Sequence, residues 1–186
     1  MSARDLKDEA DECELVNHLS LPRVALVGIA SLLAMIGFDF FLHAGLLATL
    51  YLQPAPFLLP PAEAFRRIPL GYLSFSILTV LLLWLMVRLK VTGWRRGAEF
   101  GLKLGALVWG ALALGLWSIS TAEAALLAGW FAGQTVELAI GGAVAGAGLG
   151  GQRLRTIFLR VIAFVLLLVV ITIGMQSAGL APAARL

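Results

Sequence analysis

Asp39 and His43 lie four residues apart in "GFDFFLHAGLLATLY", residues 37–51, within a long apolar run. Four residues make about one helical turn, so the two side chains share a face. A carboxylate favours the charged form of a neighbouring imidazole, and such a pair can change charge near neutral pH. That chemistry suits a proton gate or relay. It equally suits an ion pair that anchors a loop, which is the plainer expectation. Further along, Glu99 and Lys103 are also four apart, in the order that favours a helical ion pair, and Gln134 precedes Glu137 by three.

The elements that must carry these residues are membrane helices. The chain has 186 residues, 60% of them hydrophobic and 13% charged, with a mean hydropathy of +0.94. A soluble domain of this size must put a large share of its residues in water, which this composition does not allow. Several apolar runs reach the roughly 18 to 25 residues needed to cross about 30 Å of hydrocarbon. The single cysteine, Cys13, excludes an internal disulfide framework.

Five spans are predicted, at about 24–50, 70–88, 98–118, 124–148 and 156–175, giving an all-α, compact, polytopic bundle. Residues 1–21 form an acidic leader, opposite in charge to a secretory n-region, so the first span is expected to stay in the mature protein. Residues 22–150 form a four-helix core with a proline-rich loop at 53–69, where "PPAEAFRR" reads as a short interfacial helix. Residues 151–186 hold a fifth, peripheral helix and a short tail. Of fourteen Lys and Arg, ten fall with the N-terminus and the second-to-third and fourth-to-fifth loops. Three fall on the other side, and Lys103 lies within a span. The positive-inside rule then predicts a cytoplasmic N-terminus, an external C-terminus and residence in the bacterial inner membrane.

Ionisable groups inside a bilayer cost about 2.5 to 3.5 kcal/mol each on insertion scales, so each should find a partner. At 1.5 Å per residue, Asp39 lies about 24 Å beyond Arg23, in the outer half, with His43 one turn further. An outer cluster of Asp39, His43 and one of Arg66 or Arg67 is therefore expected. Glu137 sits near the midplane, and Lys103 is expected to reach it from the third span, with Gln134 completing that network. Trp117 and Trp130 fit an outer aromatic belt and Trp94 an inner one. Gly97, Gly101 and Gly105 form one small-residue ridge. Gly129, Gly133, Glu137 and Gly141 form a second, and Gly142, Gly146 and Gly150 a third. Such ridges allow close helix packing in lipid, here expected within one monomer rather than between copies. The fourth span is expected to lay its small ridge on the charged face of the third.

Metal catalysis needs about three protein ligands, and the chain has two histidines, His18 and His43, on opposite sides of the membrane. His43 alone could give one axial bond to haem or chlorophyll; no other cofactor and no metal centre is expected. No hydrolase elbow, phosphate loop, zincin helix or dinucleotide fingerprint appears in a credible context. The stretches "DFFLHAGLL" with Tyr51, "GLKLGALVWG" and "VELAIGGAVAG" together resemble a loosely defined group of small bacterial polytopic membrane proteins of unknown function. That resemblance spans about residues 24–150 and implies no activity. The expected function is a non-catalytic membrane subunit or assembly factor of a larger complex. Its partners would be lipids and other membrane subunits or further copies, and not nucleic acid. Two alternatives stand beside it. One is a small oligomeric transporter or channel for protons or a small solute, using Asp39/His43 and Lys103/Glu137. The other is a pigment- or haem-binding subunit through His43.

Overall fold

A computed structural model describes residues 20–52 and 56–182; most of the acidic leader, with Cys13 and His18, lies outside them. The described residues form helices α1 (Leu21–Phe41), α2 (Pro61–Arg66), α3 (Ile68–Arg88), α4 (Trp94–Ile119), α5 (Ala124–Leu149) and α6 (Leu154–Ser177). All but α2 are long and apolar enough to cross a membrane, with the first span running on to Leu46. The expected short helix in "PPAEAFRR" is α2, and it begins at Pro61, where a missing N–H costs no helical bond.

The first span is less regular than its composition suggests. Past Phe41 the helix widens into a π-turn, Leu42–Leu46, closed by the Leu47 N–H donating to the Leu42 carbonyl. A 3-10 turn, Leu50–Leu52, follows. Such π-turns are uncommon and tend to mark functional segments. Gly93, at φ +81°, opens α4 in a conformation that a side chain would strain. Its N–H donates to the Gly146 carbonyl near the far end of α5.

Helix α5 is the axle of the bundle. Its Gly142 and Gly146 face Gly97 and Gly101 of α4, so closely that the backbones touch. Its other ridge faces the first span and the turn that follows: Gly129 meets Leu47, Gly133 meets Leu42, Gly141 meets Met35 and Gly148 meets Val27. A core of Val27, Met35, Leu82, Met86, Leu138 and Leu149 fills the space among α1, α3 and α5. A second cluster, Ala30, Ala34, Ile157 and Val161, joins α1 to α6. The glycine ridges thus pack within the monomer.

Two expectations are corrected here. The small ridge of the fourth span lies on the glycines of the third and not on its charged face. Only there can the two backbones approach, and Glu99 and Lys103 are left on the opposite side of α4. The third span, expected inside the four-helix core, is also less covered than the fifth. Gly97, Gly101 and Gly105 are the buried residues of α4, whereas α6 lies along α1 with Ile157, Val161, Leu168 and Thr172 buried.

The Arg-rich end carries an unexpected clasp. The Arg23 guanidinium donates to the carbonyls of Gly148 at 3.0 Å and Gln152 at 2.7 Å. These are carbonyls at and just beyond the C-terminus of α5, where a cation is favoured. The packing of α4 makes a direct prediction. A Cβ at Gly101 would collide with the backbone of Leu138 and Ala139, whereas one at Gly115 would meet nothing within 4 Å. Gly101→Ala should destabilise the folded protein by about 1–3 kcal/mol and Gly115→Ala should not, as measured by unfolding equilibria in detergent micelles.

Candidate functional site

The polar groups of the span interior gather where the irregular end of the first span meets α5. Asp39 sits in the last turn of α1 and His43 in the π-turn, and the His43 Nε2 lies 3.1 Å from the Asp39 Oδ1. The 3-10 turn brings Tyr51 back so that its hydroxyl bonds the His43 Nδ1. From α5, the Trp130 indole N–H donates to the Tyr51 oxygen at 2.7 Å. The Gln134 amide nitrogen lies 3.4 Å from the Asp39 Oδ1 and 3.3 Å from the His43 Nε2.

The bonding fixes a direction. Indole can only donate, so the Tyr51 oxygen accepts from Trp130 and keeps its own proton to give. Given to the His43 Nδ1, it leaves Nε2–H to point at the carboxylate. The donor order is therefore Trp130, Tyr51, His43, Asp39, a chain that ends on an anion. Both ring nitrogens of His43 are engaged. Among the described residues, no group of three or more His, Cys, Asp or Glu could hold a metal ion.

Tyr51 was visible in the sequence only as the end of a motif, and its part in the chain was not anticipated. The signal available was modest: an aromatic hydroxyl eight residues past the histidine, at the edge of an apolar run. Burial pushes the phenol up to about 12 from its ordinary 10.0. The Trp130 hydrogen bond opposes this shift, and the charge of Asp39 adds to it. Tyr51 is thus a neutral donor at any physiological pH. Trp130 serves the same chain, while Trp117 and Trp94 are exposed.

Neither expected arginine joins the cluster. Arg67 pairs at 2.6 Å with Glu63, one turn back on the exposed surface, and Arg66 is also exposed. A local partner at helical spacing satisfies Arg67 without burying either charge, and Gln134 takes the place beside Asp39 instead. Glu99 and Lys103 do pair with each other, at 2.7 Å. Lys103 does not reach Glu137. Its side chain is 71% exposed on the outward face of α4, with α5 behind it.

Glu137 is fully buried, at 0% exposure, and among the described residues neither of its carboxyl oxygens has a hydrogen-bond partner. It stands on the α5 ridge between Gly133 and Gly141, which meet Leu42 and Met35 of the first span. In this antiparallel register its opposite number on α1 is Phe38 or Asp39. By that register the two carboxyl groups stand at about one level, Asp39 at the end of a donor chain and Glu137 with no bonded partner among the described residues.

Comparisons with family models, curated proteins and solved structures find no match for this chain. The site therefore rests on its own geometry.

The phenol gives a spectroscopic check. The chain has two tyrosines, and Tyr72 is exposed. In a Tyr72→Phe variant, phenolate absorbance should rise only near pH 12. Because folding favours the neutral phenol, stability should fall as pH climbs from 10 towards 12. Tyr51→Phe should abolish that late titration. It should also cost about 1–3 kcal/mol at neutral pH, since it strips Trp130 of its acceptor and His43 of its donor.

Proposed function

We propose that this chain is a non-catalytic subunit or assembly factor of a larger membrane complex, resident in the bacterial inner membrane with its N-terminus in the cytoplasm. The observation that carries this reading is the outward face of α4. Glu99, Lys103, Leu114 and Trp117 are exposed, recur at helical spacing and fall on one stripe, opposite the glycine ridge. Near one end of the stripe is the exposed Glu99–Lys103 pair. At 1.5 Å per residue these two residues stand about 8 and about 14 Å along the helix from Trp94. Bare lipid is a poor neighbour for charges at that depth.

Towards the other end, α4 and α5 diverge to leave an apolar cleft of about 340 Å³ lined by Gly110, Leu114, Trp117, Leu127 and Phe131. A partner helix laid along the stripe would cover the ion pair, supply further polar partners there and seat a side chain in the cleft. Association of this kind in lipid is driven by close packing and polar contacts rather than by hydrophobicity. The lack of a recognised catalytic motif and the excess of Arg and Lys at one end support the same reading.

Extraction of the full chain from its native membranes into lipid nanodiscs tests this. The chain should migrate as an assembly with a second, stoichiometric membrane protein. Lys103→Glu, which places two acids on the stripe, should reduce the partner's recovery several-fold while Glu63→Gln leaves it unchanged. A lone particle of one chain, or a partner indifferent to Lys103→Glu, would sink the proposal.

A further inference from the structure

Among the described residues, Glu137 is the ionisable one of the buried polar side chains that lack a hydrogen-bond partner. A buried carboxyl with no bonded neighbour is among the most costly arrangements a protein can hold, and it is costlier as an ion than as an acid. The groups around it narrow what it can do. On α5 itself Gln134, about one turn back, is already turned towards Asp39 and His43, and Thr135 is buried without a hydrogen-bond partner among the described residues. The first span contributes Asp39 and His43. The ionisable side chains of α3 are Tyr72, exposed in its first turns, and Arg88 in its last turn, and the Glu99–Lys103 pair of α4 is exposed. The arginines of α6, Arg155 and Arg160, lie in its first two turns at the Arg-rich end. Among the described residues no cationic side chain bonds Glu137.

We infer that Asp39 and Glu137 form an intramembrane proton-binding site, holding one exchangeable proton between two carboxyl groups and loading it from the face where His43 and Tyr51 lie. Two carboxylates at one level in hydrocarbon cannot both stay ionised cheaply, so one proton on the pair relieves both the repulsion and the cost of the orphaned charge. Delivery needs no new group. A proton from the surroundings adds to the part-exposed Asp39 carboxylate, turning it into an acid, while His43 keeps its Nε2–H beside the Asp39 Oδ1, 3.1 Å away. The side chains of His43 and Asp39 are 31% and 18% exposed, so this end of the pair exchanges with its surroundings while Glu137 does not. On the other side of Glu137, Met35, Leu82, Met86 and Leu138 close the path with apolar side chains that are buried to 1% exposure or less.

Infrared difference spectroscopy on the full chain in lipid nanodiscs tests this. Wild type should show the carbonyl stretch of a protonated carboxylic acid at neutral pH, and it should disappear in one step on alkalinisation. Isotopic labelling of the glutamate carboxyls in the unmutated chain should shift the band, which keeps the test independent of any variant's folding. Glu137→Gln should remove the neutral-pH band and Glu137→Asp should retain one. Asp39→Asn should move the midpoint by about one pH unit or more, because the second charge is gone. Should wild type show no protonated carboxyl between acid and neutral pH, or a band indifferent to both the label and Glu137→Gln, the site does not exist as described.

Discussion

Helices in hydrocarbon gain little from hiding apolar surface, because the lipid is as apolar as they are. What holds this bundle together is how closely backbones can approach, and α5 controls that approach. One of its faces presents Gly142 and Gly146 to α4, and the other presents Gly129, Gly133, Gly141 and Gly148 to the first span and the turn that follows. The second face positions the polar cluster. With small residues above and below, α5 comes near enough to the first span for Trp130 and Gln134 to reach Tyr51, His43 and Asp39. The same closeness shuts Glu137 in.

The cluster is built from an irregularity. A straight α-helix through residues 42–52 would carry Tyr51 more than two turns beyond His43 and out of its reach. The π-turn and the 3-10 turn fold the chain back, and the hydroxyl meets the imidazole. Local departure from regular helix is thus what converts an acid–histidine pair into a directed chain of donors.

Much of this was legible in the residues. Apolar length places the five spans to within a few positions, and helical spacing pairs Asp39 with His43 and Glu99 with Lys103. Spacing also finds each glycine ridge. What it does not find is which ridge meets which neighbour. Lys103 and Glu137 look like natural partners by depth and charge, yet depth says nothing of azimuth, and the glycines of α4 claim the contact that would have joined them. The arginines of the loop fail for a related reason, since Glu63 at helical spacing satisfies Arg67 without cost of burial. Tyr51 escapes because its role depends on a backbone departure that apolar patterning does not encode.

The contact between α4 and α5 has a consequence for how the protein is made. The two helices are joined by only a short turn, residues 120–123, and touch along bare backbone with few side chains to reorder. Such a hairpin can close as soon as both segments have left the ribosome and entered the bilayer, before α6 exists. Biogenesis would then proceed by docking a finished two-helix unit onto α1 and α3, with the last segment sealing the far side of the first.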